Sequence, residues 1–280
     1  KKMPIVTFWN DKKEQTGKTL SAVAVATYMA IEHNYKILVI STGFNDKTLD
    51  NCFWKEKKDK KNFGIFGPNT NVAMENGIEG LSKMVKSNKI SPESITNYTR
   101  IIFKDTLEIL QSFKGNRENY EEIKEHYVDV INLANRYYDL VFVDLDMELG
   151  NDVINTILEN SNLIVASLSQ RLTSIDSFIE KREEMPILKS KKTLILISRY
   201  DRDSKYTVKN ISRYMGEKNK VSTIPYNTLF FEACEEAKVV DLFLSIRKIS
   251  EDDVNGMFLS EVKRTAENII YRLQDLAMRM

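Results

Sequence analysis

Three consecutive residues, Gly17, Lys18 and Thr19, concentrate the chemistry of this 280-residue chain. They close the stretch NDKKEQTGKTL (Asn10 to Leu20), which runs from an apolar strand-like segment, PIVTFW, into an apolar helix-like one, LSAVAVATYMAI. Strand, loop and helix in that order let backbone N–H groups and a helix N-terminus gather phosphate oxygens. A lysine so placed reaches the β and γ phosphates, and the hydroxyl after it binds magnesium. Gly17, Lys18 and Thr19 fill the last three places of G-x-x-x-x-G-K-[ST], but Lys12 stands where the first glycine belongs. The motif is therefore broken. A non-glycine residue driven to positive φ costs about 1–2 kcal/mol, and Glu14 brings a carboxylate toward phosphate oxygens unless Lys12 and Lys13 offset it. The competing reading is a loop that keeps the fold and has lost the ligand.

The elements that must position these residues are legible as apolar runs. Strands are expected at Pro4–Trp9, Lys36–Ile40, Leu107–Leu110, Asp139–Asp144, Leu163–Ser167, Thr193–Ser198 and Val221–Ile224. Helices are expected at Gly17–Glu32, Ile78–Lys86, Tyr120–Tyr137, Asp152–Glu159, Ile175–Arg182, Lys205–Met215, Thr228–Glu236 and Asp253–Arg279. Near-continuously apolar strands alternating with helices predict an α/β, doubly wound, mostly parallel sheet with helices on both faces. The first helix is apolar almost all round, as a helix packed beneath other elements must be. One domain over 1–280 is expected; the charged KEKKDKK run at Lys55–Lys61 and the Gly and Pro residues after it mark a solvated, irregular stretch rather than a linker.

Composition narrows the field. Apolar residues make up 42% and charged residues 29%, which places the chain among ordinary globular proteins. No apolar run is long enough to span a membrane, and no signal peptide opens the chain, so a cytoplasmic protein is expected. Cys52 and Cys234 are far apart in sequence with no metal-ligand spacing, and read as reduced thiols. Two isolated histidines, His33 and His126, make neither a zinc site nor a Ser/His triad. Net charge is +1, yet Lys181–Lys220 holds twelve Lys and Arg against five Asp and Glu, a local +7 that leaves −6 elsewhere. That excess permits an acidic or nucleic-acid partner, although lysines around loops are most often plain solvated surface.

Taken together, six segments in order resemble the ParA/MinD family of deviant Walker A P-loop ATPases. KKEQTGKTL is similar to KGGxGK[ST], with Lys13 at the signature-lysine place and Glu14 and Gln15 replacing two glycines. YKILVISTGFND resembles the second strand, normally ending D-x-D-P, and YYDLVFVDLDMELGND the Walker B strand. ENSNLIVASLSQRLTSIDSF, TLILISRYD and TIPYNTLFFEACEEAKVV resemble the later strands and the base-contacting element. The resemblance implies ATP and Mg2+ as ligands. Glu14, Gln15, Thr16, Gly17, Lys18, Thr19 and Leu20 would form the phosphate loop; Thr19 and Asp144 would hold the metal. Lys13 would cross a homodimer to the partner's phosphates, and with Asp144 forms the expected catalytic pair. Ser198, Arg199, Pro225 and Tyr226 would surround the base, with Ser198 replacing an asparagine and so offering less than an amide's donor and acceptor.

The departures point toward weak or absent hydrolysis. Ser41 and Gly43 stand where the family carries the second-strand aspartates, and a positioned water with metal-stabilised charge is what hydrolysis needs; Asp46 and Asp146 are the nearest substitutes. By resemblance the chain is a positioning or partition ATPase whose dimer recruits a protein partner. A TadZ/CpaE-like pilus-assembly localisation protein, with a region preceding Lys1, and a non-catalytic dimeric scaffold are the alternatives. Nitrogenase iron proteins share this fold, but Cys52 and Cys234 do not offer their cluster pattern. Nonspecific DNA binding would use Lys189, Lys191, Lys192, Arg202, Lys205, Lys209 and Arg213. The amphipathic segment Met257–Met280 mixes charges on its polar face, and so is expected to pack on the domain or another chain rather than on a membrane.

Overall fold

A computed structural model describes residues 4–11, 16–55, 77–87, 90–190, 192–217 and 221–278. Expectations for Lys12, Lys13, Glu14, Gln15, Lys191 and most of the KEKKDKK run lie outside the described residues. The chain order is β1 (Ile5–Trp9), α1 (Lys18–Glu32), β2 (Ile37–Ser41), α2 (Thr48–Asn51), α3 (Gly77–Lys86), β3 (Thr99–Phe103), β4 (Leu107–Leu110), α4 (Arg117–Ile123), α5 (Tyr127–Ala134), β5 (Leu140–Asp144) and α6 (Asn151–Asn160). It continues with β6 (Leu163–Leu168), α7 (Leu172–Glu184), β7 (Thr193–Tyr200), α8 (Val208–Tyr214), β8 (Ser222–Pro225), α9 (Thr228–Glu236), α10 (Val239–Ile246) and α11 (Val254–Met278).

The strands form one sheet in the order β3-β4-β2-β5-β1-β6-β7-β8, parallel throughout except where β3 pairs antiparallel with β4 at the edge. Alternate residues of each strand feed two cores. Val6, Phe8, Val39 and Phe142 face α1, α9, α10 and α11, while Ile5, Trp9, Ile40 and Val143 face α3 to α8. Burial on both faces is why these strands read as unbroken apolar runs. Helix α1, ten consecutive residues of which are buried from Ser21 to Ala30, is sandwiched between the sheet and α11.

Crossover handedness then fixes where a ligand can sit. The β1–α1–β2 connection moves toward one sheet edge with its helix on one face; β5–α6–β6 and β6–α7–β7 move toward the other edge with helices opposite, as right-handed crossovers require. The loops after β1 and β6, neighbouring strands, therefore diverge, and a ligand is expected beyond the carboxyl ends of the strands around β1.

Three expectations are corrected by local physics. The helix expected over Tyr120–Tyr137 is broken into α4 and α5 by a 3-10 turn at Lys124–His126. Strand β3 and helix α10 were not foreseen: β3 is a half-exposed edge strand, and α10 follows α9 after two residues, the left-handed Ala237 (φ 61°) and Lys238. The C-terminal segment does pack on the domain, burying Phe258, Val262, Ala266 and Ile269 against α1 and β8. Cys52 and Cys234 are both free and buried, and they meet: a hydrogen bond with Cys234 that favours the protonated thiol, followed by burial, pushes the Cys52 thiol well above its usual range. No described helix is long and apolar enough to cross a membrane.

Candidate functional site

Gly17 begins the site because of its backbone. It adopts φ 83° as the N-cap of α1, a left-handed conformation that glycine takes without a Cβ penalty. A Cβ there would also lie 3.2 Å from Arg199 Cγ and 3.3 Å from Ser198 Cβ. Among the described residues no side chain caps α1, and its first turn holds no acidic residue, so the N–H groups of that turn face outward with the helix's partial positive charge. Asn116, Thr207 and Asn227 by contrast cap α4, α8 and α9 with their side chains. The Thr16 hydroxyl is buried beside this turn without a hydrogen-bond partner among the described residues.

Lys18 and Thr19 converge on one carboxylate. Asp144, the last residue of β5, is 3% exposed and lies in register with Phe8 of β1 and Ser41 of β2. Lys18 Nζ is 2.9 Å from its Oδ1 and also donates to the Leu145 carbonyl; Thr19 Oγ1 donates to its Oδ2 at 2.8 Å. With Ser41 rather than a carboxylate beside it, Asp144 meets no like charge across the strand pair, and among the described residues Lys18 is the cation paired with it.

The second-strand corner is built differently. Thr42 ties three loops together: its N–H donates to the Asp144 carbonyl at 3.1 Å, its hydroxyl accepts the Asp146 N–H at 2.8 Å, and its carbonyl accepts the Tyr120 hydroxyl at 2.6 Å. Burial holds the Tyr120 phenol well above the usual tyrosine range, which keeps it a donor. Asn45, at φ 53°, exchanges two hydrogen bonds with Gly115, Nδ2 to the carbonyl at 2.8 Å and N–H to Oδ1 at 2.9 Å. Phe44 packs on Phe113 and Tyr120, with the Arg117 guanidinium 5.1 Å above it. Asp46 and Asp146 both line the cleft, yet each spends one oxygen on a local turn, accepting Thr48 N–H and Glu148 N–H at 2.8 Å.

Between the two corners lies a cleft of about 580 Å3, within the range of small-molecule sites. Thr16, Gly17, Lys18, Thr19, Leu20 and Arg199 form one wall, and Asp46, Asp146, Glu148 and Glu235 contribute carboxylates. Beside it, Leu20, Arg199, Ile224, Pro225, Tyr226, Asn227, Phe230 and Phe231 enclose a small, mostly apolar recess. Of the sequence-expected residues, Thr16 through Leu20, Arg199, Pro225 and Tyr226 thus border one continuous site. Asp144 lies at its base, while Ser198 is buried under Gly17, its hydroxyl held by that of Ser21 at 2.9 Å. Sequence reasoning missed Thr42, Phe44, Phe231, Glu235 and Asn227. Only Asn227 had a local signal, a capping asparagine before an apolar helix. The basic residues do not form one patch: Lys189 and Lys192 precede β7 and Arg202 and Lys205 follow it, so the eight-residue strand separates them by about 25 Å.

The donor set fits a magnesium–nucleoside triphosphate. An uncapped helix start, a buried orphan hydroxyl and a lysine at the loop end suit phosphate oxygens. A hydroxyl and a carboxylate already in contact, Thr19 and Asp144, are hard oxygen ligands of the kind magnesium takes alongside phosphates. Four carboxylates line the cleft alongside Lys18 and Arg199, and a divalent cation would offset their repulsion of an entering polyanion. Among the described residues no group of three or more His, Cys, Asp or Glu could hold a metal by itself.

No family model and no curated protein matches the sequence. Solved structures do match the fold. A ParA family ATPase from Chlorobium tepidum superposes with TM-score 0.70 at 16% identity, over 94% of this chain and 98% of that one. The cell division ATPase MinD from Pyrococcus furiosus gives 0.65 at 14% identity, over 96% and 98%. The septum site-determining protein MinD from Pyrococcus horikoshii, complexed with Mg-ADP, gives 0.64 at 13%, again over 96% and 98%. The chain has the α/β P-loop fold of the ParA/MinD ATPases.

Proposed function

We propose that the chain is a ParA/MinD-type positioning switch that binds Mg–ATP and turns it over slowly or not at all. The observation that carries this is the meeting of Lys18 and Thr19 on Asp144 beneath an uncapped α1. In this reading the Lys18 ammonium leaves Asp144 and Leu145 for the β and γ phosphates, the first-turn N–H groups and Thr16 hydroxyl hold the remaining oxygens, and Thr19 and Asp144 hold the metal. Bound there, magnesium neutralises phosphate charge. Arg199, Pro225 and Tyr226 border the base. Slow turnover is read from the second-strand corner, where position 41 is serine and Asp46 and Asp146 each commit one oxygen to a local turn, which restrains them from aligning an attacking water. Binding is thereby separated from hydrolysis.

The remaining parts of the reading rest on resemblance: a homodimer closed by Lys13 across the nucleotides, a protein partner that senses the dimer, a cytoplasmic location, and plasmid or chromosome partition or pilus-assembly placement as the task. Sedimentation velocity of the full chain tests the switch. Mg–ATP should convert a monomer to a dimer, and Lys18→Ala should abolish that conversion. A second reading, a scaffold whose dimer ignores ATP, is favoured by the Lys18–Asp144 pair already satisfying itself; an identical dimer with and without Mg–ATP would establish it. Monomers under both conditions would defeat both readings. For DNA, a mobility shift at low salt lost on charge reversal at Lys189, Lys191 and Lys192 is the expected partition result.

A further inference from the structure

We infer that Cys52 and Cys234 are a modification site: exchange with a small-molecule disulfide joins them in one reversible bond that staples α2 to α9 behind the cleft. They are the only two cysteines of the chain, and although far apart in sequence they meet in space. Cys52 is the C-cap of α2, Cys234 lies near the end of α9, and the two helices pack on one another. Both side chains belong to the core on the α1 face of the sheet, at 1% and 3% exposure. The thiols share a hydrogen bond, and Cys52 Sγ also donates to the Thr48 carbonyl at 3.2 Å. A sulfur activated at either position therefore finds the other cysteine as its neighbour.

Burial sets when the bond forms. Exchange needs a thiolate and access to it, and the contact with Cys234, followed by burial, keeps Cys52 protonated. The closed pair is inert. Helix α2 is a single turn, and its N-cap, Lys47, makes no side-chain cap, so α2 is the element that lifts to admit a reagent. In the opened state one cysteine thiolate attacks the reagent's S–S bond, releasing one small thiol and leaving a mixed disulfide. The second thiolate attacks the protein sulfur of that mixed disulfide and releases the other small thiol. Two protein thiols thus become one disulfide as one reagent disulfide becomes two thiols. Both ends of the staple reach the cleft, which Thr48 of α2 and Phe231 and Glu235 of α9 line. The bond fixes those two walls relative to one another.

Oxidised glutathione added to the native full chain tests this, read by intact mass and peptide mapping. One intrachain bond between the Cys52 and Cys234 peptides should form, faster in urea below the unfolding transition, and dithiothreitol should reverse it. Cys234→Ala should take up one glutathione at Cys52 and go no further. Because the bond closes a loop of about 180 residues, the oxidised chain should melt about 5 °C or more above the reduced one. A chain that stays unmodified, that carries two glutathiones, or that melts lower when oxidised overturns the inference, and the pair is then a core contact only. The effect on the cleft rests on the nucleotide-binding reading: N-methylanthraniloyl-ATP should exchange about threefold or more slowly from the stapled chain. Equal exchange from both forms overturns that restraint. No binding to either form removes the nucleotide reading alone, since bond formation and melting do not depend on it.

Discussion

Two corners of one sheet end meet at Asp144 and have been treated differently. On the α1 side, Gly17, Lys18, Thr19 and Asp144 keep residue types and contacts suited to phosphate and metal, with helix N–H groups left uncapped. On the β2 side, the segment from Ser41 to Asn45 carries hydroxyl, glycine, aromatic and amide residues, and it is tied to its neighbours by internal hydrogen bonds. The difference teaches that the two halves of a nucleotide switch have separate physical requirements. Gripping a triphosphate needs donors held open; cleaving it needs a carboxylate held free. In the proposed reading this chain supplies the first and uses the second corner as a brace.

The largest effect should come from breaking the shared carboxylate. Asp144→Ala removes the carboxylate paired with the Lys18 ammonium, which is 11% exposed. Removing one member of a buried pair costs about 3–5 kcal/mol, so urea denaturation should show a loss near the lower figure, with nucleotide binding abolished. Intact nucleotide affinity in this variant would show that the grip does not pass through the α1 corner.

Next is Thr42→Val, close to isosteric but without the hydroxyl that accepts the Asp146 N–H. Leaving that group unsatisfied costs about 1–3 kcal/mol, read as a lower denaturation midpoint. Because the brace is separate from the grip, affinity for Mg–ATP should change less than about threefold, under 1 kcal/mol. A parallel collapse of affinity would merge the two corners into one unit. Gly17→Ala tests the other side more gently. The left-handed backbone costs a Cβ about 1–2 kcal/mol, and Arg199 and Ser198 must yield a few tenths of an ångström. Nucleotide affinity should fall about tenfold or more while hydrogen exchange in β4 and α4 stays unchanged.

How far the sequence announces these corners follows the same division. The strands, α1, and the trio Gly17, Lys18 and Thr19 are legible because apolar runs and a local motif carry them. Asp144 is legible because it ends such a run. The brace is not, since Thr42 acquires its role only when β2 and β5 align Ser41 with Asp144, and Asn45 only when Gly115, seventy positions later, comes beside it. Helix α10 escaped notice because Lys238, its N-cap, makes no side-chain cap, so no local signal separates it from α9. Ser198 shows the converse. Its place in the resemblance was legible, but its partner, Ser21, was not, and that partner decides what its hydroxyl has left to offer.

The smallest expected effect probes how completely the β2 corner has become structural. Asp50, in α2 just beyond the brace, is 2% exposed; its Oδ1 accepts the Ser112 N–H at 3.3 Å and hydroxyl at 3.1 Å, with Lys114 Nζ 3.9 Å from Oδ2. Burial raises its pKa, and the Ser112 bonds and Lys114 only partly oppose that. A folded-state pKa above the unfolded value means that the native chain binds the extra proton. Its contribution is therefore full below the ordinary aspartate range, near 3.9, and is lost as pH rises through the raised folded value. Asp50→Asn keeps an oxygen for Ser112 and removes the charge, so its stability relative to wild type should rise with pH from about 4 upward and then level off. Paired urea melts across that range measure it. A difference independent of pH would mean that Lys114 and Ser112 already compensate the charge in full, and that the corner still holds an ionised carboxylate at no cost.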